Sequence, residues 1–437
     1  MLKNNQTKKL IVLGVLMEII YLLFYFVEPL RKILGDDKIT LSNSGIFLSI
    51  VLLLLMLIFL YTLAFKQIKH NNYYLKILWG FILVFSITCL FLWPIGSTDV
   101  FTYINQIRVS SAHHANPYTV PYSAFPDDAL YYFINTHWTE NTSPYGPLFI
   151  GIGRILALAG GSSLILTLFI FKLFFVSVHI LNCLLIYKIF KDERALLLYG
   201  WNPLIIYEFA INGHNDVLII FFLLLSVFFL LKKSGFKNHI FSWMFLLGSV
   251  LIKYITVIFA PIFLLVLLAG ARGKKERVIF LSIISLTSAL MFFVFFFPYW
   301  QGWQTFSGIL SVCSPPNKIF SAIAISLSAI MFCLMKIPNP YYWGRMFGKI
   351  IFIFSYVFIL LKMLINFKKL TKNSAIKYSC LTMAIFLASF LNWVMPWYFT
   401  VLITLLICYL AAYNNYKKID YVYGITLFGV LYYIVLR

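Results

Sequence analysis

Charged residues are scarce in this sequence of 437 residues: only 11% are Asp, Glu, Lys or Arg, whereas 62% are hydrophobic. Soluble domains carry about 25% charged and about 45–50% apolar residues, so the composition excludes a water-soluble globule. Apolar runs such as 10–27, 46–64 and 217–231 approach or exceed the roughly 17–20 residues that cross a bilayer as a helix. These runs are continuous and do not alternate, which excludes an outer-membrane barrel. The sequence therefore predicts an all-α polytopic membrane protein.

Cysteine is also scarce, with six residues and no CxxC pair. Five of the six lie inside apolar stretches, and only Cys313 lies in a candidate external loop. This usage indicates neither a disulfide framework nor a zinc site. We also expect no cofactor.

Acidic residues are few as well, with 14 Asp and Glu against 35 Lys and Arg, which gives a net charge of +21. In a soluble protein this excess would suggest nucleic-acid binding. Here the basic residues cluster in short turns between the apolar runs, near residues 3–9, 66–76, 188–194, 232–237, 272–277, 368–377 and 417–418. Short basic turns are typical of the cytoplasmic side of a membrane protein. We therefore expect the lipid bilayer, and no nucleic acid, as a partner.

No soluble domain or tandem repeat interrupts the chain, so residues 1–437 are interpreted as a single integral membrane domain. The apolar runs predict about 11–13 transmembrane helices. Two regions are predicted outside: residues 97–163, which are aromatic and acidic, and residues 298–345. The second region includes an apolar helix over 319–335 that is expected to lie outside or to be re-entrant. A helical hairpin, broken near residues 253–256, is predicted within 240–270.

Asp99 stands near the start of the first external region, nine residues before Arg108. If the segment between them is helical, about two and a half turns separate the two side chains, and we expect them to flank one bound group. A carboxylate base beside a phosphate-binding cation is the chemistry that this pair suggests. The alternative is that Asp99 only caps the helix that follows.

Two proline–tyrosine motifs follow, NPY at 116–118 and SPYGP at 143–147. A tyrosine offers a flat apolar face and a hydroxyl, which together suit a sugar ring. The motifs therefore favour sugar binding by this region. The same motifs also suit turns that place an aromatic ring at the headgroup level, and both interpretations stay open.

Further candidates lie at breaks between apolar runs. The turn after Glu208 contains His214, Asn215 and Asp216. A helix N-terminus there would suit an anionic phosphate, and a short capped connection is the alternative. Lys253 lies at the predicted hairpin break, where freed backbone must line a cavity or the protein interior. A lysine at that point is a suitable ligand for a lipid-linked phosphate.

The late segment NWVMPWYF, 392–399, places Trp397 and Tyr398 at an external membrane boundary. An ordinary aromatic belt is the alternative to a binding role. Three other ionisable residues at membrane depth are interpreted as snorkelling or structurally paired: Glu18, Lys172 and Lys362.

Six segments in order carry a resemblance to a known family: STDVFTYINQIRV, NPYTV, SPYGPLFIGIGR, WNPLIIYEFAINGHNDVLI, LIKYITVIFAPIFLL and MPWYF. The sequence resembles the polyprenol-phosphomannose-dependent α-(1→6)-mannosyltransferases of the glycosyltransferase C (GT-C) superfamily. The resemblance covers residues 97 to about 400. SPYGPL and NGHND at this spacing are its more specific parts.

This resemblance implies a GT-C-like glycosyltransferase fold with a large first catalytic extracytoplasmic loop, in a multi-pass protein of the plasma membrane. It implies inverting transfer of a mannose-like hexose from a polyprenyl-phosphate sugar to a glycan or glycolipid acceptor. Asp99 is then the expected general base. The expected ligands of the donor phosphate are Arg108, Lys253 and His214. The expected sugar and acceptor contacts are Tyr103, Gln106, Asn116, Tyr118, Tyr145, Asn215, Asp216, Trp397 and Tyr398.

One carboxylate base suffices for such a donor because a phosphate leaves without protonation, whereas hydrolysis of a sugar–sugar bond normally requires two carboxylates. Asp127 and Asp128 are adjacent and form no alternating pair, so we expect metal independence. Two other classes stay open. A transporter or lipid flippase would show paired broken helices in two related halves. A glycan ligase or polymerase would be favoured by two clustered external arginines.

Overall fold

The computed structural model describes residues 2–27, 44–68, 73–132, 138–232, 235–271, 273–313, 321–391 and 394–435. Helices make up the fold, and these ranges contain no β-strand. The helices of the first half are Leu2–Leu23, Ser44–Gln67, Leu75–Leu90, Asp99–Ser111, Pro147–Gly160, Leu164–Phe190, Glu193–Gly200, Pro203–Ile206 and Asp216–Leu231. Those of the second half are Phe236–Ile252, Ala260–Ala269, Lys274–Phe296, Ser307–Cys313, Ala322–Cys333, Pro340–Ile365, Lys372–Ile385, Tyr398–Ala412 and Asp420–Val435.

Five of the described helices are long and apolar enough to cross a membrane, and the bent pair Pro203–Ile211 and Asp216–Leu231 adds a sixth if it forms one span. Shorter apolar helices of 10–17 residues accompany them. The prediction of an all-α polytopic membrane protein is confirmed. The predicted number of crossings is reached only if the shorter helices also cross, because fewer helices than expected have the full length of a bilayer span.

The basic turns contact one another at one end of the helix bundle. The Glu193 carboxylate accepts the backbone N–H of Tyr74 at 3.0 Å, and Arg194 donates to the side-chain oxygen of Asn414 at 3.0 Å. Turns that are far apart in the sequence thus share one face. A shared face is what the positive-inside pattern predicts for them.

The two ends of the bundle are connected by helix Leu164–Phe190. This helix starts directly after the region 97–163 and ends at the basic turn that contains Lys191. Its 27 residues span roughly 40 Å. The region 97–163 and the basic turns therefore lie at opposite ends of the molecule.

The two regions predicted to be external, 97–163 and 298–345, contact each other. The Asn116 side-chain amide donates to the backbone carbonyl of Tyr299 at 2.8 Å. The rings of Tyr118 and Tyr299 pack edge to face, with their centroids 5.5 Å apart. These contacts assemble one end of the protein from distant segments.

The apolar helix predicted over 319–335 is Ala322–Cys333, which packs against Pro340–Ile365. Its 12 residues reach about 18 Å, too little to cross the hydrocarbon core. The packing is close: a Cβ at position 344 would lie 2.6 Å from the backbone carbonyl oxygen of Ala324, so glycine is required there. Its location outside the membrane stays a prediction.

The predicted hairpin break lies at Lys253. Helix Phe236–Ile252 ends there because Lys253 is extended, with φ −156° and ψ 126°, and Tyr254–Phe259 continues as a 3-10 helix. The backbone N–H of Gly146 donates to the last carbonyl of the ended helix at 2.9 Å, which satisfies an acceptor freed by the break. A Cβ at position 146 would lie 2.0 Å from the Leu251 carbonyl oxygen. The SPYGP turn therefore needs its glycine to support the break beside Lys253.

Candidate active site

A cavity of about 740 Å³ opens at the end of the bundle that contains the region 97–163. Three charged side chains of the described ranges line it: Asp99, Lys253 and Lys349. Much of the remaining lining is apolar and includes Phe47, Ile50, Val51, Leu54, Ile255, Val257, Ile258, Phe352, Phe386, Phe390 and Leu391. The cavity thus combines a small number of charges with an extended hydrocarbon-like wall.

Asp99 is the first residue of helix Asp99–Ser111, and its backbone N–H donates to the Ser97 hydroxyl at 3.1 Å. Its side chain is 19% exposed and borders the cavity. Burial raises the pKa of the Asp99 carboxyl above its ordinary value, and the neighbouring His214 and Lys253 act in the opposite direction. A carboxylate with a raised pKa that faces a cavity can act as a proton acceptor.

His214 lies behind Asp99 and is fully buried. Its Nδ1 is 3.7 Å from Oδ2 of Asp99 and 3.3 Å from the Tyr103 hydroxyl. Its Nε2 is 3.3 Å from Oε2 of Glu208, and its ring stacks on Trp397 with centroids 4.0 Å apart. His214 does not line the cavity. The position of His214 does not support its expected contact with a donor phosphate, because both ring nitrogens face carboxyl groups inside the protein.

Glu208 is fully buried in a π-helical turn, an irregularity that often marks functional sites. It accepts the Tyr433 hydroxyl at 2.8 Å and the Asn212 amide at 3.2 Å. The side-chain oxygen of Asn212 in turn accepts the backbone N–H of Gly96 at 2.9 Å. This network joins Glu208 to the segment that leads into Asp99.

Lys253 lines the cavity, with 15% of its side chain exposed. Its ammonium lies 3.1 Å from Oδ2 of Asp216 and 4.6 Å from the centre of the Tyr398 ring. Asp216 begins helix Asp216–Leu231, where the helix N-terminus favours a carboxylate. Asp216 thus holds Lys253 from behind and is not among the cavity residues. An ammonium has three donors, so Lys253 keeps capacity for a further anion.

Lys349 is a cavity residue that sequence analysis missed. It lies inside the apolar helix Pro340–Ile365 and lines the same cavity as Asp99 and Lys253. A charged residue inside a candidate membrane span is a functional suspect by itself. That signal was present in the sequence and would have identified Lys349.

The structure does not bring Arg108 to this cavity. The segment from Asp99 to Arg108 is helical, which was the condition for placing the two side chains together. Nine residues at about 3.6 per turn make two and a half turns, however, so the two side chains point in opposite directions. Arg108 donates to Asp128 at 2.9 Å and to the Gly161 carbonyl at 2.8 Å. The expectation that Asp99 and Arg108 flank one bound group is therefore wrong.

Asp128 is the centre of a buried cluster within the region 97–163. Besides Arg108, it contacts Nε2 of His113 at 2.6 Å and accepts the Tyr122 hydroxyl at 2.9 Å. Its side chain is 1% exposed. Burial acts to raise the pKa of the Asp128 carboxyl, but the hydrogen bond from Arg108 and those from Leu130 and Tyr122 lower it overall. This cluster holds the region 97–163 together.

We expect Asp128→Asn to destabilise the folded protein by about 3–5 kcal/mol, because it leaves the buried Arg108 charge without its carboxylate. Since folding lowers the pKa of Asp128, its stabilisation is complete above its unfolded pKa and is lost as pH falls through the folded pKa. Thermal unfolding in detergent from neutral to acid pH measures both effects. Asp127→Asn, at the exposed neighbouring carboxylate, should melt with the parent. Coincident melting of Asp128→Asn and the parent at neutral pH would contradict this role.

Asn116 and Tyr118 take part in the packing of the region 97–163. The side-chain oxygen of Asn116 accepts the backbone N–H of Tyr118 at 3.1 Å, and the Tyr118 hydroxyl donates to the Tyr145 carbonyl at 2.9 Å. Neither residue lines the cavity. Asn215 is also outside its lining and is fully buried, with no hydrogen-bond partner for its side chain among the described residues. The sugar contacts expected of these three residues are not supported by their positions.

Four of the expected sugar and acceptor residues do line the cavity: Gln106, Tyr145, Trp397 and Tyr398. Oε1 of Gln106 and Nε1 of Trp397 are buried and have no hydrogen-bond partner in the described part of the chain. A buried acceptor and a buried donor left unpaired at a cavity are groups that a polar ligand can satisfy. The first two residues of NWVMPWYF, 392–393, lie outside the described residues.

Metal ligation has no obvious site here. Within the described ranges, no group of three or more His, Cys, Asp and Glu side chains has the arrangement needed to hold a metal ion. The charges available to a bound anion are those of the two cavity lysines.

The comparison with known proteins concerns the part of the chain that builds most of this site. The profile of the alpha-(1->6)-mannopyranosyltransferase family, N-terminal domain, matches residues 26–269, more than half of the sequence. The chain belongs to this family. No curated protein and no solved structure matches it.

Membership of the mannosyltransferase family confirms the resemblance found in the sequence motifs and supports a mannosyltransferase activity, with a sugar donor and an acceptor as substrates. The matched segment contains Asp99, His214 and Lys253. Lys349 and Trp397 lie beyond it. This mannosyltransferase-family protein therefore completes its cavity with residues outside the matched domain.

Proposed function

We propose that this protein transfers a mannose-like hexose from a polyprenyl-phosphate sugar to a glycan or glycolipid, with inversion and with Asp99 as general base. The observation that carries the proposal is a single cavity lined by Asp99, by Lys253 and Lys349, and by an extended apolar wall. Such a cavity suits a donor that joins a sugar phosphate to a hydrocarbon chain. The family match supports the sugar chemistry.

In the proposed reaction, Asp99 takes the proton of the acceptor hydroxyl as that oxygen attacks the anomeric carbon of the sugar. The new bond forms on the face opposite the phosphate. The bond between the anomeric carbon and the phosphate oxygen breaks, and its electron pair leaves with the polyprenyl phosphate. One carboxylate is enough, because this leaving group needs no proton from the enzyme. Lys253 and Lys349 stabilise the charge that develops on the phosphate.

Sugar binding is assigned to the polar and aromatic groups of the cavity. Gln106 accepts a sugar hydroxyl at its Oε1, and Trp397 donates from its Nε1, since both atoms are buried and lack a partner among the described residues. Tyr145 and Tyr398 provide aromatic surfaces. A flat ring face with a polar edge suits a hexose.

The direct test is sugar transfer by the purified protein. Incubation with radiolabelled polyprenyl-phosphate mannose and a membrane extract should move the label to a glycan or glycolipid, which chromatography then identifies. A nucleotide-activated mannose and a polyprenyl-diphosphate glycan serve as comparison donors and should give no product. Transfer from either of these, and none from the monophosphate, would overturn the proposed donor. Movement of the intact donor across vesicles without transfer would indicate a flippase.

We also propose that the site faces the outside of the plasma membrane, opposite the basic turns. With the six native cysteines replaced, Ala124→Cys in the exposed part of region 97–163 should react with a membrane-impermeant maleimide in intact cells. Lys418→Cys, in an exposed basic turn, should react only after lysis. The reverse labelling pattern would put Asp99 on the cytoplasmic side and would contradict the proposed orientation.

A further inference from the structure

Glu208 is a buried carboxyl that takes no part in the proposed chemistry. It does not line the cavity, and its side chain has no exposed surface. A buried carboxyl is destabilising unless it is paired or hydrogen-bonded. Hydrogen bonds from Tyr433 and Asn212 meet this need. Glu208 also lies 3.3 Å from His214, which in turn lies 3.7 Å from Asp99, and this position relates it to the site.

We propose that Glu208 is a positioning residue for Asp99 and that it acts through His214. This inference rests on the proposed role of Asp99 as general base. The imidazole lies between the two carboxyl groups, with Nδ1 toward Asp99 and Nε2 toward Glu208. The group that faces one ring nitrogen determines which nitrogen carries the proton. When the Glu208 carboxyl directs a proton toward Nε2, the imidazole carries its own proton on Nδ1 and presents an N–H toward the Asp99 carboxylate.

The surroundings hold this arrangement in place. His214 is stacked on Trp397 and contacts the Tyr103 hydroxyl. Glu208 is fixed by hydrogen bonds from Tyr433 and Asn212. Glu208 and His214 have no exposed surface, so water cannot replace the contacts of His214 with Asp99 and Glu208. The line from Glu208 to Asp99 is therefore held by at least four neighbouring side chains.

Asp99 and Glu208 each face several titratable groups. The groups that interact with Asp99 are His214, Lys253, Asp216, Tyr103, Tyr145 and Tyr433. The groups that interact with Glu208 are His214, Tyr207 and Tyr433. His214 opposes the rise that burial causes in the pKa of Asp99. Loss or misorientation of the imidazole should therefore raise the pKa of Asp99 further and move the low-pH limb of the activity profile to higher pH.

The test measures kcat, the donor KM and the pH profile of kcat/KM in purified variants. Glu208→Ala should lower kcat about 10-fold and move the low-pH limb to higher pH, with the donor KM within about twofold of the parent. Glu208→Gln keeps the shape and can hydrogen-bond His214, so it should recover most of the loss. His214→Phe keeps the stacking on Trp397 and should match Glu208→Ala. Combining the two should add little, because both act on one contact.

The control outcomes separate this inference from the proposed function. Parental kcat and an unmoved low-pH limb in Glu208→Ala, with Asp99→Asn inactive, would overturn the positioning role and leave the base intact. Full turnover in Asp99→Asn would overturn both. If size-exclusion profiles show that Glu208→Ala does not fold, Tyr433→Phe replaces it, because that change removes one donor to Glu208. Tyr433→Phe should move the limb in the same direction by a smaller amount, and an unmoved limb there would count against the role.

Discussion

Asp99→Asn should lower kcat by at least about 100-fold, the lower end of the contribution of general acid–base catalysis. Asparagine keeps the size and hydrogen bonding of aspartate, but it cannot accept the acceptor proton. Donor affinity should change far less, because the phosphate is assigned to lysines. Single-turnover rates at saturating donor, with a separate donor titration, measure the two quantities. Asp127→Asn, at an exposed carboxylate of the same region 97–163, is the matched control and should behave as the parent.

The pH profile of kcat/KM is a second test of Asp99 as the general base. A general base acts in its ionised form, so kcat/KM of the parent should fall as pH is lowered through the pKa of Asp99. Burial raises that pKa, and the low-pH limb should accordingly lie above the range of an ordinary aspartate. The residual activity of Asp99→Asn should lack this limb. Near-parental turnover in a correctly inserted Asp99→Asn protein would remove Asp99 from the mechanism.

Lys253→Ala should weaken donor binding by about 1.5–3 kcal/mol, since a charge-assisted hydrogen bond to the phosphate is lost. That loss corresponds to roughly a 10- to 150-fold rise in the donor Kd. Lys253→Arg keeps the positive charge and should lose less. Lys418→Ala, in the basic turn at the opposite end of the protein, should leave the Kd unchanged.

The pairing of Lys253 with Asp216 requires its own control, because Lys253→Ala also leaves a buried carboxylate without its partner. Asp216→Asn removes the pair but retains the ammonium. If phosphate binding depends on the charge of Lys253, Asp216→Asn should bind the donor with a higher affinity than Lys253→Ala does. Donor titrations of Lys253→Ala that overlay the parent would show that the phosphate binds elsewhere, and Lys349→Ala is then the next variant to titrate.

Local patterns in the sequence were enough for the membrane class, the helix that begins at Asp99 and the helix break at Lys253. Each of these three features depends on residues that are close in the sequence. They are the length of an apolar run, a polar residue after an apolar run, and a charged residue inside an apolar hairpin. The family motifs also lie in short segments, which can be recognised without knowledge of the fold. These features could therefore be predicted before any contact between distant segments was known.

The tertiary structure decided which residues form the site. The half-turn between Asp99 and Arg108 follows from the helical period alone, but the pairing of Arg108 with Asp128 is a contact that only the fold shows. Lys349 reaches the cavity from a helix far along the chain, and His214 faces Asp99 and Glu208 in place of a phosphate. The sequence by itself determined that the protein is helical and membrane-embedded, and it located the charged residues along the chain. Which of those charges meet depends on side-chain direction and on packing between helices hundreds of residues apart, and only the fold supplies both.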